Sequence, residues 1–357
     1  MIPVVPVRPE TILRVPENPQ TIGLPVATWW PGQREAVGRV IEAFEQARVV
    51  FLNAPPGSGK TIIAAAAAIL MDTKSITMTH CLAADTPVLM ADFTLRAIQD
   101  IRPGDQVVGF DDLPPGMGNG HRRKLRLTNV RSVHTDARSP CLTIHTPQGD
   151  VTATSNHRWL VRRKRRLDWV ASSELQIGDE LKSIGESVAG APDSWIAGYL
   201  AGAFDGEGHV RMSLDQRGRG GACLNFAQVD NAMLARVVSG LEQFGFKVVI
   251  RWYEPDGVAR RIQRCASVGI KGGVPEIIRF LTLFRPPRLL HLVEGAIDGH
   301  DPQRHPFVRI SSIEPATPQP VYCLETGTGT FIAAGFYSHN TIALQDQYRR
   351  TAGWAVI

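Results

Sequence analysis

The chain has 357 residues, 43% of them hydrophobic and 20% charged, with a formal charge of +5. That balance suits a soluble chain with room for two or three domains, each burying its own core, and it permits a nucleic-acid partner without demanding one. The longest apolar run, TIIAAAAAILM at 61–71, is too short to cross a bilayer, so no membrane partner is expected. Five cysteines, odd in number and widely spaced, make no disulfide framework or zinc pattern. The opening MIPVVPVRPE has neither the charged nor the apolar part of a signal peptide. A reducing, cytoplasmic setting is expected, where thiols serve as nucleophiles.

In chain order, ARVVFLNA at 47–54 reads as a buried strand, APPGSGKT at 54–61 as a glycine-rich loop, and IIAAAAAILM from 62 as a helix. Strand, loop and helix in that order make a P-loop. Gly57, Ser58 and Gly59 turn backbone N–H groups toward phosphates, Lys60 neutralises charge and Thr61 holds Mg²⁺, so ATP and Mg²⁺ are the expected ligands. Ala54 stands where the pattern often has glycine. After residue 71 no Walker-B acid is visible, and the composition changes. From 81 to 186 β-branched alternation and turns such as RPGD (102–105) and PQGD (147–150) predict short strands at regular spacing. A helix-capable stretch, 187–304, is entered through SIGESVAGAPDS and left through GHDPQRHP, and strand pattern returns over 305–340. The simplest organisation is a β domain split by an insertion.

The segment WWPGQREAV at 29–37 resembles the adenine-reading segment of superfamily-two DNA helicases, with Gln33 in that role. Joining residue 80 to residue 341 gives SITMTH followed by TIALQDQYRR, which resembles the helicase segment after the P-loop. Residues 1–80 and 341–357 therefore read as an α/β P-loop fragment interrupted by residues 81–340. The interruption resembles an intein, a self-excising element of the mostly β Hint (hedgehog/intein) horseshoe fold. CLAADTPVLM (81–90) matches the N-terminal block, and GDVTATSNHRWL (149–160) carries the T-x-x-H block as Thr154 and His157. VYCLETGTGTFIAAG (321–335) and FYSHN (336–340) match the C-terminal blocks.

The resemblance implies roles. His157 polarises the bond between His80 and Cys81 and protonates the departing nitrogen, and Thr154 positions it. Thr341 accepts the upstream segment as an ester. Asn340 cyclises to release the element, with His339 as acid/base, and no cofactor is needed. Two routes are open for the first attack. Trp159, Cys323 and Thr341 complete the Trp-Cys-Thr signature of class 3 inteins, in which Cys323 attacks directly; Cys323 stands where an acid is usual, and Gly329 where a histidine is usual. In the class 1 route Cys81 begins with an N-to-S acyl shift.

Within the insertion, WIAGYLAGAFDGEGHV (195–210) resembles the first motif of LAGLIDADG homing endonucleases, an α+β domain. Gly198 and Gly202 leave a small helix face for a second helix, expected from LLHLVEGAIDGHD (289–301). Glu207 is the metal-binding acid, with Asp205 and Asp301 as neighbouring candidates, because the second acid position holds His300. Mg²⁺ and double-stranded DNA are the implied cofactor and partner; a degenerate endonuclease remains an alternative. The intein is expected to be monomeric. A DNA-dependent ATPase is the competing function, and without a Walker-B acid productive hydrolysis is not expected of this chain.

Overall fold

The computed structural model describes residues 8–24, 26–46, 60–71, 75–76, 81–112, 123–164, 166–185, 194–214, 220–255, 263–301, 306–339 and 355–356. The chain divides into two compact units, Met1–Thr79 with Ile342–Ile357, and His80–Thr341. No helix among the described residues is long and apolar enough to cross a membrane.

In the first unit α1 (Pro9–Arg14) precedes α2 (Gln33–Gln46) and α3 (Lys60–Leu70). Val37, Val40 and Ile41 of α2 recur on one helical face and pack with Ile63, Ala66 and Ala67 of α3. The short strand β1 (Ser75–Ile76) pairs in parallel with the last strand of the chain, Ala355–Val356. Stretches on either side of the second unit thus belong to one parallel pair.

The second unit is rich in β structure. Its first half runs through β2 (Leu82–Ala83), β3 (Pro87–Leu89), β4 (Leu95–Ala97), β5 (Gln106–Phe110) and β6 (Leu125–His145). It continues with β7 (Val151–Thr154), β8 (Arg158–Arg163), β9 (Arg166–Ala171) and β10 (Glu180–Lys182). After the insertion come β15 (Phe307–Arg309), β16 (Ser312–Thr326), β17 (Thr330–Ala333) and β18 (Phe336–His339). One sheet runs β15-β10-β8-β18-β17-β3-β4, with β9 on β8; the other runs β16-β2-β7-β6-β5, with β16 also pairing β6. That extra pairing closes β16, β2, β7 and β6 into a ring, possible because β6 spans 21 residues and serves two neighbours. Val107, Ile144, Val151, Val161, Leu324 and Phe331 form part of the core.

The insertion leaves after β10 and returns at β15, which are antiparallel neighbours with Lys182 opposite Phe307. It is built as α4 (Trp195–Glu207), β11 (Gly208–Leu214), β12 (Gly220–Val229), α5 (Ala232–Gln243), β13 (Val248–Tyr253), β14 (Cys265–Ile270), α6 (Val274–Phe284) and α7 (Pro287–Val293). Its four strands form a sheet of order β11-β12-β14-β13. Ser194 and Asn231 cap α4 and α5 by accepting from Ala197 and Leu234 N–H groups. Gly240 of α5 lets Ile196 of α4 approach closely, since a Cβ there would meet it at 3.0 Å.

The expected second packing helix takes a different course. It ends at Val293, because Gly295 adopts φ +73° and turns the chain away. Arg288 at its start donates to the carbonyls of Phe204, Asp205, Gly206 and Gly208, which fixes α7 at the foot of α4. A Cβ built at Gly198 or Gly202 meets nothing within 4 Å, so no described residue packs on that glycine face.

Candidate functional site

The ring of β16, β2, β7 and β6 brings the upstream end of the second unit to the T-x-x-H segment. Thr154 ends β7, where a threonine suits the extended backbone and offers a hydroxyl to the next strand. Its Oγ1 accepts from the backbone N–H of Cys81 at 3.0 Å, and its own N–H donates to the Cys81 carbonyl at 3.0 Å. The Thr154 hydroxyl lies 2.8 Å from Oδ1 of Asn156. Thr154 therefore grips the nitrogen of the bond between residues 80 and 81.

Three residues on, His157 is fully buried and its Nε2 lies 2.9 Å from Oγ of Ser338 on β18. The backbone turn is fixed by the His157 N–H donating to the Thr154 carbonyl at 3.0 Å. Trp159, also fully buried, stands 4.5 Å from the His157 ring and donates through Nε1 to Ser172 Oγ at 3.0 Å. The Ser172 backbone N–H donates to the His157 carbonyl at 2.8 Å. Trp159 is thus a wall for the imidazole, held by a serine that also holds the histidine backbone.

Cys81, Cys141 and Cys323 pack in one buried cluster with Val321. The β2–β16 register sets Ala83 opposite Val321 and Leu82 opposite Tyr322; one step further places Cys81 opposite Cys323. Both thiols considered for the first attack therefore share one site. Burial pushes the Cys141 thiol up, with Cys81 and Asp136 adding to the shift.

At the downstream end, His339 lies in β18 opposite Arg158. Its Nε2 is 3.6 Å from Oδ2 of Asp112, and its ring meets the Trp169 ring edge-on at 4.9 Å. Trp169 Nε1 donates to the other Asp112 oxygen at 2.9 Å, and Arg123 lies 3.6 Å from that oxygen. Burial alone would raise the Asp112 carboxyl; His339, Trp169 and Arg123 outweigh it and hold the group below its ordinary range. Beneath this, Tyr337 is fully buried; burial and the Asp301 charge push its hydroxyl up, against Arg123. Burial and Arg123 push Lys182 down to about 8, partly offset by Asp301.

Residues Gly57, Ser58, Gly59, Asn340 and Thr341 lie outside the described residues, as do the side chains of Lys60 and Thr61. Gln33 is buried, and its Oε1 accepts from the Trp30 N–H at 2.9 Å, a cap at the start of α2. The metal candidates stand apart in character. Glu207 is exposed at the end of α4, and Asp205 Oδ1 accepts from the Arg288 N–H at 2.6 Å. The Asp301 charge bears on Lys182 and Tyr337 of the β unit. No group of three or more His, Cys, Asp or Glu side chains that could hold a metal occurs among the described residues. Glu207, Asp205 and Asp301 do not form such a group. Ser172 and Asp112 carry no motif signal, and Ser338, though inside FYSHN, is set against His157 by the pairing of β18 with β8.

No family profile matches the chain. A stretch of 112 residues, 30% of the chain, is 27% identical to the catalytic subunit of the V-type proton ATPase of Candida tropicalis, and spans 10% of that protein. Among solved structures, a DnaB intein from Synechocystis is similar over 74% of this chain and 99% of its own, with 11% identity and a TM-score of 0.35. The transcription factor IIB Mvu mini-intein covers 73% of this chain and 99% of its own at 12% identity and a TM-score of 0.33. A bacterial intein-like domain from Clostridium thermocellum covers 74% and 100% at 13% identity and a TM-score of 0.30.

Proposed function

We propose that residues 81–340 are an autocatalytic splicing element that excises itself and joins His80 to Thr341. One observation carries the reading: a single four-residue turn holds both ends. Thr154 grips the Cys81 nitrogen, and His157 bonds Ser338, two residues before Asn340. Cutting two peptide bonds so distant in sequence needs them at one set of acid/base groups, and this turn supplies it.

The sequence of steps follows from the groups present. A thiolate, Cys323 or Cys81, attacks the His80 carbonyl while Thr154 and His157 attend the leaving nitrogen. The acyl group passes to the Thr341 hydroxyl. Asn340 then attacks its own carbonyl, releasing the element as a succinimide, with His339 moving the proton. An O-to-N shift at Thr341 leaves an ordinary peptide bond. Expression of the chain followed by intact mass measurement tests this. The expected products are a released species of about 260 residues and a short ligated species. Only full-length chain, with neither junction cut, would overturn it.

The insertion supports a double-stranded DNA partner. Strand alternation and register put His209, Arg211, Asn225, Ser267, Arg251 and Tyr253 on one sheet face, while Leu224, Phe226 and Val268 are buried on the other. An open face with arginines and amide and hydroxyl groups suits phosphate and base-edge contacts. Salt-dependent binding to duplex DNA, weakened by Arg211→Ala with Arg251→Ala, is the measurable consequence. For the flanking unit, the parallel pairing of Ser75–Ile76 with Ala355–Val356 favours an interrupted P-loop domain with ATP and Mg²⁺ as ligands.

A further inference from the structure

We propose that His134 takes the proton from the Cys323 thiol, and that Ser132 and Glu325 position it for that task. The inference rests on reading Cys323 as an acyl acceptor, and adds the base that would make it one.

In the β6–β16 register Cys323 lies opposite His134 and Glu325 lies opposite Ser132. Opposed residues of an antiparallel pair project from the same face, with Cβ atoms about 4.5–5.5 Å apart. Cys323, His134 and Ser132 are all buried, at 1%, 7% and 7% exposure. A buried thiol gains little ionisation from solvent, so a neighbouring base decides whether it becomes a nucleophile.

The hydrogen bonds fix which imidazole nitrogen is basic. Ser132 Oγ donates its one proton to Glu325 Oε2 at 2.8 Å. Ser132 Oγ also lies 2.9 Å from His134 Nε2, and with its proton committed it is the acceptor there. Nε2 therefore carries the hydrogen, and Nδ1 is the basic nitrogen. The Cys323 thiol lies 3.8 Å from the Leu324 carbonyl, a long contact it can leave, and the register sets it beside the imidazole, hydroxyl and carboxylate as nucleophile, base and orienting groups.

The step balances. The Cys323 proton passes to His134 Nδ1; sulfur forms a bond to the His80 carbonyl carbon; the C–N bond to Cys81 breaks, and that nitrogen takes up a proton. One proton has moved from sulfur to nitrogen, and the upstream segment hangs on Cys323 as a thioester. Ser132 and Glu325 stabilise the imidazolium that forms in between. The other titratable groups on this face are Asp136, adjacent along β6, and the Cys81 and Cys141 thiols.

The test titrates the thiol directly. In full-length chain carrying His157→Ala and Asn340→Ala, which keeps both junctions intact, iodoacetamide labelling of Cys323 is followed by peptide mass spectrometry across pH. Adding His134→Gln is expected to move the Cys323 profile upward by about one pH unit, a tenfold change. Glu325→Gln gives a smaller shift, and the Cys141 profile stays in place as a check on folding. A Cys323 profile unmoved by either substitution would overturn the proposal. In the otherwise native chain, His134→Gln is expected to slow thioester formation on Cys323 by about a hundredfold. If the native chain makes no thioester or ligated product while the labelling shift is present, the splicing reading fails and the His134 assignment stands.

Discussion

The backbone nitrogen of Cys81 donates to the Thr154 hydroxyl at 3.0 Å, so the atom that must leave the upstream bond is already gripped in the folded chain. Held there, the Cys81 nitrogen keeps a fixed position against the Thr154–His157 turn while the bond breaks. Thr154→Val keeps the β-branched shape and removes this acceptor. Cleavage at the upstream junction should fall roughly tenfold to a hundredfold, the lower range for one positioned proton-handling group. The rate of thiol-induced release of residues 1–80 measures it; an unchanged rate would remove Thr154 from the chemistry.

The opposed Cys81 and Cys323 make a second prediction. Cβ-bearing residues facing each other in antiparallel strands lie with Cα atoms about 4.5–5.5 Å apart, within the range a disulfide accepts. Oxidised glutathione should therefore link the two thiols, itself being reduced, and ligation should stop until dithiothreitol is added. Separate Cys81→Ala and Cys323→Ala variants then divide the two routes. Ligation that survives Cys81→Ala and fails with Cys323→Ala is the expected pattern; the reverse would assign the first attack to Cys81.

Asp112→Asn is expected to slow Asn340 cyclisation about tenfold while leaving the upstream thioester step unchanged. The sign of its pH dependence follows from the depressed carboxyl. A carboxyl lowered on folding contributes above its unfolded value and loses that contribution as pH falls through the lower folded value. The Asp112 carboxylate should then keep its full contribution down to about pH 4, near the ordinary carboxyl value, and lose it below. Step-resolved gel analysis of Asp112→Asn and Asp112→Glu distinguishes the pair, because only the glutamate keeps the charge.

Lys182 offers a stability test. Its ammonium is fully buried over the Tyr337 ring at 4.9 Å, and its pKa falls from 10.5 to about 8. Below pH 8 the folded state carries the whole cost of the buried charge; the cost fades as pH rises toward 10.5, where the unfolded chain also loses the proton. At 1.36 kcal/mol per unit the cost is roughly 3 kcal/mol. In chain blocked by Asn340→Ala, Lys182→Met should raise stability at pH 7 by up to that order and flatten the rise toward pH 10. Urea melts at the two pH values measure it.

Much of the candidate site was legible because the groups proposed to splice stand in short local patterns. Thr154 and His157 fall in one turn, and Cys323, His339 and Asn340 lie close to the junction. The glycine-bearing helix Trp195–Glu207 was also readable, as α4. What local pattern could not carry is register. Asp112 reaches His339 across more than two hundred residues, and Ser132, His134 and Glu325 meet only because β6 and β16 pair as they do. The second glycine-bearing motif misled for a related reason. Its apolar spacing is helical, yet Gly295 at φ +73° and the Arg288 contacts to α4 decide where that helix stops.

The turn from Thr154 to His157 also has a meaning in time. Ribosomal synthesis delivers its Cys81 partner early and Ser338 last, since β18 is the final strand of the unit. Until that strand is made, the Ser338 hydroxyl is not yet there to hold the His157 ring, and the upstream bond is gripped by Thr154 alone. If the element splices as proposed, the contact that completes the His157 site therefore comes only with the strand that carries the downstream junction.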